Sequence, residues 1–190
     1  MKAVLKTINI ADDIIREISC IRAFDEIEQE HINDALAWID SGAPLFRIQK
    51  PDVPPKHLVS YFVILDEKEK KILLVDHKKA LLWLPPGGHV DKNEHPRDAA
   101  IRECKEELDI KAKFWRETPL FLTVTKTTGL TAGHTDVTLW YVLNNSHLDT
   151  YLFDHEEFNA IKWFHMDAMP YDRSDPHMRR FIEKLKGLLA

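Results

Sequence analysis

The sequence predicts an α/β fold with additional helices at the N-terminus. Three observations predict it. Apolar residues recur at helical spacing before residue 45, β-favouring runs follow one another between residues 58 and 164, and a helical pattern ends the chain. The 190 residues are 44% hydrophobic and 30% charged, which is typical of a globular chain long enough to bury a full core.

Two helices are expected in the N-terminal segment. The second begins with Asp25 and Glu28 as a capping pair, and the Ser-Gly-Ala-Pro run at residues 41–44 ends it. The first follows Asn9, and its apolar residues recur at helical spacing: Ile14, Ile15, Ile18 and Ile21.

A domain boundary is expected near residue 50. Residues 50–56 carry three prolines, which neither a helix interior nor a central strand accepts, so we interpret this stretch as a linker. The chain is therefore divided into a helical extension, residues 1–50, and a main domain, residues 51–190.

The main domain is expected to contain several strands and a closing helix. Asp175 and Pro176 form an N-cap and N1 pair for that helix, and Gly129 and Gly133 mark a mobile connection between two of the strands. The apolar segment at residues 81–84 leads into a Pro-Pro-Gly-Gly turn. The strands are predicted at residues 58–65 and 71–77, which form a hairpin, and at 114–125, 135–143 and 160–164.

The stretch 87–110 sets a glycine loop before a short helix that begins near Pro96. Glu103, Glu106 and Glu107 are spaced i, i+3 and i+4, so they share one side of this helix. Like charges so placed repel one another, and a bound divalent cation would reverse the sign of that energy. A solvated helix face is the alternative for three such glutamates considered alone.

Gly88, Glu94 and the run Arg-Glu-Cys-Lys-Glu-Glu-Leu-Asp-Ile at residues 102–110 resemble the Nudix box. That pattern is a glycine, a glutamate, and then Arg-Glu-aliphatic-any-Glu-Glu-any-Gly-aliphatic. Asp109 replaces the glycine, and we expect it to end the helix in the left-handed conformation. Cys104 replaces a larger aliphatic residue, and we expect it to be a buried structural thiol.

The resemblance implies a Nudix α/β/α sandwich with a mixed central β-sheet. It also implies an enzyme, a metal-dependent hydrolase that cleaves a pyrophosphate bond with Mg²⁺ or Mn²⁺. Hard cations prefer oxygen ligands, which agrees with the glutamates. The general base varies within the family, so Glu103 competes with a glutamate on a later loop, Glu156 or Glu157. The resemblance implies the metal ligands Gly87 (through its carbonyl), Glu103, Glu106 and Glu107, the catalytic residues Glu103, Glu106, Arg102 and Glu157, and the structural positions Gly88 and Glu94.

His89, His134 and Asp136 are candidate substrate-binding residues. A lone histidine is more often a surface or satisfied core residue, and an aspartate at a strand start more often caps or is solvated, so both readings stay open. Family subsets that cleave ADP-ribose or dinucleoside polyphosphates often carry a proline or tyrosine about fifteen residues past the box. Residues 120–130 contain neither, which favours a nucleoside triphosphate, normal or oxidised.

Three other functions stay in view. ADP-ribose or a nucleotide sugar would be an alternative substrate, and a Nudix fold can serve as a ligand sensor without catalysis. An isoprenoid diphosphate isomerase on the same fold lacks support, because no cysteine lies outside the helix core as a candidate acid.

Charge and composition indicate the partners and the compartment. A formal net charge of -5 argues against nonspecific binding to a nucleic acid polymer. The resemblance implies a small nucleotide as the partner. The two cysteines are too few for a disulfide framework, and there is no signal peptide or long apolar run. We therefore expect a cytoplasmic protein that does not bind membranes, and a homodimer remains open.

Overall fold

The computed structural model describes residues 9–49, 53–128, 130 and 132–190. Its helices are α1 (Ile10–Ser19), α2 (Glu26–Asp40), α3 (Pro96–Leu108) and α4 (Met178–Leu189). Its strands are β1 (Lys56–Asp66), β2 (Lys71–His77), β3 (Leu82–Leu84), β4 (Gly87–His89), β5 (Phe121–Lys126), β6 (Thr135–Asn144) and β7 (Phe158–His165).

The strands form one mixed sheet. Its order is β3-β2-β1-β6-β5, with β4 also paired to β1 and β7 to β2. The β1 and β6 strands run parallel, whereas the other pairs are antiparallel. The predicted hairpin is confirmed as β1 and β2, with Asp66 opposite Lys71 at its turn.

Helices cover both faces of this sheet. On one face, residues of α1, α2 and α3 pack with Phe62 and Tyr141, and on the other face α4 packs with Val63 and Trp140. Burying one large apolar side chain contributes about 1.5–3 kcal/mol, so each layer supplies a substantial part of the folding free energy. The predicted α/β/α sandwich with N-terminal helices is therefore confirmed.

The two N-terminal helices form as expected, although the capping differs. Asn9 caps α1, and the Asp25 side chain accepts the backbone N–H of Glu28 at 2.8 Å. Glu28 does not complete the expected reciprocal bond. Its side chain is fully buried and accepts from Phe24 N and from Lys184 Nζ, because a buried carboxylate requires a cation partner.

The division at residue 50 stays a prediction. Residues 1–8 and 50–52 lie outside the described residues, and so does Gly129 of the predicted mobile connection. In the part that is described, the α1 and α2 residues Ile18 and Ile39 belong to the same apolar cluster as Leu58 of β1.

Two predicted boundaries were wrong. The strand expected at residues 114–125 is only β5, and Phe114 makes an isolated bridge to Leu143, since Pro119 lacks the N–H that a continuous ladder needs. The closing helix begins at Met178 rather than at Pro176. Asp175 instead accepts the N–H of His177 at 2.8 Å, in a turn before the helix.

The Gly-Gly turn is also corrected, because Gly87–His89 is a short strand paired with β1. None of the helices among the described residues is long and apolar enough to cross a membrane.

Candidate active site

The glutamate helix α3 is held at both ends by local sequence. Pro96 takes the N1 position, and Asp109 ends the helix with φ 52° and ψ 36°, which confirms the predicted left-handed conformation. Cys104 is fully buried, and burial raises the pKa of its thiol. The expected structural thiol is thereby confirmed.

Two glycines let β4 lie directly against β1 and α3. Gly87 has φ +143°, and a Cβ atom there would lie 2.1 Å from the carbonyl oxygen of Ser60. A Cβ atom on Gly88 would lie 2.2 Å from Oε1 of Glu103. Only glycine fits either position without rearrangement, so the close approach of strand and helix depends on both residues.

Arg102 links the loop to the helix. Its Nε and Nη2 donate to the two carboxylate oxygens of Glu94, each at 2.9 Å, and its Nη1 donates to Oε1 of Glu103 at 2.6 Å. Further bonds reach the carbonyl oxygen of His89 at 3.0 Å and the carboxylate of Glu106 at 3.2 Å. A planar guanidinium suits such a fork, which holds the Glu103 carboxylate in place.

Of the glutamates on the helix, Glu107 is buried and Glu103 is half-buried. Glu107 accepts the N–H of Gly87 at 2.8 Å. Burial and the charges of Glu103 and Glu157 raise the pKa of Glu107 well above its usual value. Burial also raises the pKa of Glu103, against the opposing effect of Arg102. Glu106 differs from both, since its side chain is 59% exposed.

A second loop brings Glu157 to the same place. The N–H of Asp154 donates to the carbonyl of Glu107 at 3.0 Å, and Lys78 N donates to the carbonyl of Glu157 at 3.0 Å. Glu157 lines the cavity beside α3, whereas Glu156 is not among the lining residues.

Most predicted site residues face one cavity of about 560 Å³. This volume is in the range of small-molecule sites. Glu94 and Glu106 do not line it and instead contact Arg102. The predicted residues that line it are Gly87, Gly88, His89, Arg102, Glu103, Glu107, His134, Asp136 and Glu157.

The three predicted substrate residues meet around a fourth that sequence reasoning missed, His57. In the sheet, His57 lies opposite Asp136, and Val59 lies opposite His89. One ligand atom from each of His57, His89, His134 and Asp136 lies within 4.8 Å of the others. The His-Thr-Asp run at residues 134–136 was the available signal, but only strand pairing connects it to His57.

Burial changes the pKa values of the ionisable groups in this histidine cluster and across the cavity. It lowers the pKa of His89 to about 3, with the Arg47 charge as a further cause. For Asp136, burial alone would raise the pKa, but close contacts with His134 and His57 lower it. Across the cavity, burial raises the pKa of Asp175 to about 6.

The carboxylates beside α3 fit a hard divalent cation. Burial raises the pKa of Glu107, and the nearby charges of Glu103 and Glu157 raise it further, so three carboxylates lie close enough to repel one another. Oxygen donors of this kind are the ligands that Mg²⁺ prefers. Because Gly88 has no side chain, the Glu103 carboxylate can occupy the space beside its Cα atom.

Comparisons with known proteins found similar sequences and structures. A family model described as NUDIX domain matches residues 55–185. The crystal structure of a MutT NUDIX hydrolase from Burkholderia pseudomallei has a TM-score of 0.57 to this chain at 25% sequence identity. That likeness covers 68% of this chain and 98% of the Burkholderia chain.

Two curated relatives match over shorter segments. A Bacillus subtilis (strain 168) protein named "Putative 8-oxo-dGTP diphosphatase" is 45% identical over 51 residues, 27% of this chain and 34% of that protein. A Xenopus laevis protein named m7GpppN-mRNA hydrolase NUDT17 is 36% identical over 58 residues, 28% of this chain and 20% of that protein. The chain thus spans about a third of the first relative's length and about a fifth of the second's.

Proposed function

We propose that this chain, which belongs to the Nudix family, is a metal-dependent pyrophosphohydrolase of a small nucleotide. One observation carries the proposal: Glu103, Glu107 and Glu157 line the same wall of a cavity. That wall lies beside β4, where only glycine fits at positions 87 and 88 without rearrangement. Such a site suits a substrate whose own phosphates need a cation.

Glu107 and Glu103 are proposed as the main metal ligands. The first is buried and the second is aimed by Arg102, so both carboxylates are preorganised. Gly87, through its carbonyl, and Glu106 complete the proposed set. A bound Mg²⁺ or Mn²⁺ would neutralise the diphosphate, activate water and stabilise the leaving phosphate.

Arg102 is proposed to position Glu103, and two glutamates are proposed to transfer protons. Arg102, clamped by both oxygens of Glu94, fixes the rotamer of Glu103 and ties it to the β4 backbone. Glu157 and Glu103 are the proposed general bases, because each lines the cavity beside Glu107. Burial raises the pKa of Glu103 toward neutral pH, where a general base is most effective.

A nucleoside triphosphate, normal or oxidised, is the proposed substrate. Residues 120–130 lack the proline or tyrosine of the ADP-ribose and dinucleoside polyphosphate subsets. The name of the Bacillus relative points to the same class of substrate. ADP-ribose or a nucleotide sugar is the alternative, and a non-catalytic sensor is the remaining one.

The test is a substrate panel with Mg²⁺, read by ion-exchange chromatography of the released nucleotide. The panel contains normal nucleoside triphosphates, 8-oxo-dGTP, ADP-ribose, a nucleotide sugar and a capped dinucleotide. We expect turnover of a triphosphate that EDTA abolishes and that Mg²⁺ or Mn²⁺ restores.

Variants connect that turnover to the site. Glu107→Gln should lower kcat at least about a hundredfold, since a metal contributes several kcal/mol to the transition state. Glu103→Gln, Glu106→Gln and Glu157→Gln then rank the other glutamates, and Glu183→Gln on the exposed side of α4 is the control. The enzyme proposal fails if no panel member is cleaved, or if Glu107→Gln is as active as the parent.

The wider context is proposed with the activity. A small nucleotide rather than a nucleic acid polymer is the proposed partner, in keeping with the net charge of -5. We propose a cytoplasmic location and the division into an extension, residues 1–50, and a Nudix domain, residues 51–190. A homodimer can be tested by sedimentation.

A further inference from the structure

We propose that His57, His89, His134 and Asp136 form a binding site for a transition-metal ion such as Zn²⁺, separate from the glutamate site. The proposal does not depend on the hydrolase activity, because it concerns the donor atoms of these four side chains. One atom from each lies within 4.8 Å of the others.

The separations in this histidine cluster approach those of a tetrahedral site. Oδ1 of Asp136 lies 3.2 Å from Nε2 of His57 and 3.2 Å from Nε2 of His134. Ligand bonds of about 2.0–2.1 Å to Zn²⁺ place neighbouring donors roughly 3.4 Å apart. The widest pair, at most 4.8 Å apart, therefore has to close by about 1.4 Å.

The outer nitrogens of two histidines are already used by hydrogen bonds. Nδ1 of His57 lies 2.9 Å from the carbonyl oxygen of Pro54, which can only accept, so this nitrogen carries a proton. Nδ1 of His134 lies 3.2 Å from Oγ1 of Thr127, and the same hydroxyl lies 3.1 Å from the His134 carbonyl oxygen. A hydrogen bond at the ring nitrogen that points away from the ion is the usual outer support of a metal-binding imidazole.

These hydrogen bonds leave Nε2 as the inward-facing atom of both rings. Nε2 of each ring lies 3.2 Å from Oδ1 of Asp136. Nε2 of His57, Nε2 of His89 and Oδ1 of Asp136 are buried, and none makes a hydrogen bond to any described residue. A cation among these three atoms would give each of them a partner.

The donor set selects the kind of ion. Three imidazoles with one carboxylate suit Zn²⁺ and its neighbours in the first transition row, whereas Mg²⁺ prefers oxygen ligands in an octahedron. The carboxylates of the glutamate site have the opposite preference. The cavity therefore presents two sites of different chemistry, joined where Arg102 donates to the carbonyl oxygen of His89 at 3.0 Å.

Co²⁺ is the probe, because it replaces Zn²⁺ and absorbs visible light strongly when its site is tetrahedral. The full chain is first stripped with EDTA and then titrated with Co²⁺ in the presence of excess Mg²⁺. We expect one equivalent to produce the absorption bands and one equivalent of Zn²⁺ to remove them. Long-range ¹H–¹⁵N spectra should show Zn²⁺ shifting the ring nitrogens of His57, His89 and His134.

Variants assign the bound ion to the cluster. Asp136→Asn and His134→Ala should weaken Co²⁺ binding by more than the roughly 10–100-fold that losing an outer hydrogen-bond partner costs. His155→Ala, an exposed histidine elsewhere, and Glu107→Gln of the glutamate site should bind like the parent chain. The ring-nitrogen spectra of the parent chain keep the test valid if a variant fails to fold.

Three results would overturn the proposal: no stoichiometric binding in the presence of Mg²⁺, ring nitrogens unaffected by Zn²⁺, or binding that Glu107→Gln abolishes and Asp136→Asn leaves intact. The last result would assign the ion to the glutamates. Ring nitrogens that are all protonated and insensitive to Zn²⁺ would identify a charged histidine network instead.

Discussion

Gly88 and Glu103 occupy complementary space: a Cβ atom on Gly88 would lie 2.2 Å from Oε1 and 2.6 Å from Cδ of Glu103. The carboxylate fills the volume that the glycine leaves. Arg102 donates to the same oxygen at 2.6 Å, so the Glu103 carboxylate contacts both the β4 backbone and the guanidinium.

Gly88→Ala should therefore lower activity without unfolding the protein. The methyl group displaces the carboxylate, which is the movable end of a side chain, and a misplacement of about 1 Å can cost about a hundredfold in rate. We expect kcat/KM to fall about 10–100-fold and the melting temperature to stay nearly unchanged. Gly187→Ala in α4, where a Cβ meets nothing within 4 Å, is the matched control. Full activity of Gly88→Ala would show that the position of the Glu103 carboxylate does not matter for the reaction.

Gly87→Ala should act on stability. Its φ of +143° is strained for any side chain, and the added Cβ would lie 2.1 Å from a backbone oxygen of Ser60, which cannot move without shifting β1. We expect the free energy of unfolding to fall by about 3 kcal/mol or more, given that such strain alone costs about 1–3 kcal/mol. Urea unfolding measures it, and a loss below about 1 kcal/mol would contradict the close approach.

Arg102→Lys tests the positioning role of the guanidinium. A lysine keeps the charge but cannot bond to Glu94 through two nitrogens while also holding Glu103. We expect kcat to fall about 10–100-fold with a smaller change in KM, since the positioning matters most in the transition state. Arg116→Lys at an exposed position should have no effect. If KM rises by a similar factor while kcat stays unchanged, Arg102 contacts the substrate instead.

Lys184→Met should destabilise the protein by about 3–5 kcal/mol, because it leaves a buried charge without its partner. Lys184 donates to both oxygens of Glu28, at 2.8 and 2.9 Å, and the Glu28 side chain is fully buried. The comparison is Lys186→Met, which breaks the exposed pair with Asp167 and should cost no more than about 1 kcal/mol. Thermal unfolding of both variants distinguishes them, and equal losses would show that burial does not matter here.

Glu17 should make stability depend on pH. Burial raises the pKa of its carboxyl to about 7, against the hydrogen bond from Tyr141 and the charge of Arg97, while Asp98 adds to the rise. His95 also lies nearby, with its Nε2 at 3.4 Å. Between pH 4.5 and 7 the folded chain holds a proton that the unfolded chain releases, so the free energy of unfolding falls as the pH rises through this window.

Glu17→Gln removes that dependence. Above pH 7 the variant should be more stable than the parent by on the order of 2 kcal/mol, and the difference should shrink toward pH 4. Urea midpoints across this pH range, with exposed Glu30→Gln as the control, measure the difference. Parallel curves for the parent and Glu17→Gln would mean that the carboxyl ionises alike in both states.

Local features were predictable because they depend on neighbours in the chain. The i, i+3 and i+4 spacing of the glutamates, the helix end at Asp109 and the hairpin of β1 and β2 each follow from a few adjacent residues. Predictions of local structure were wrong where a contact with a different part of the fold replaced the expected local one. Asp175 caps a turn rather than α4, and Gly87–His89 pairs with β1 instead of forming a turn.

By itself, the sequence determined the family pattern, the α/β class and the glutamates on one side of α3, since these are matters of residue type and spacing. Only the tertiary structure decided that Glu157 joins Glu103 and Glu107, that Lys184 neutralises Glu28, and that His57 meets Asp136 across two parallel strands. The physical reason is that such contacts arise from strand register and layer packing between segments far apart in the chain, which no local period encodes.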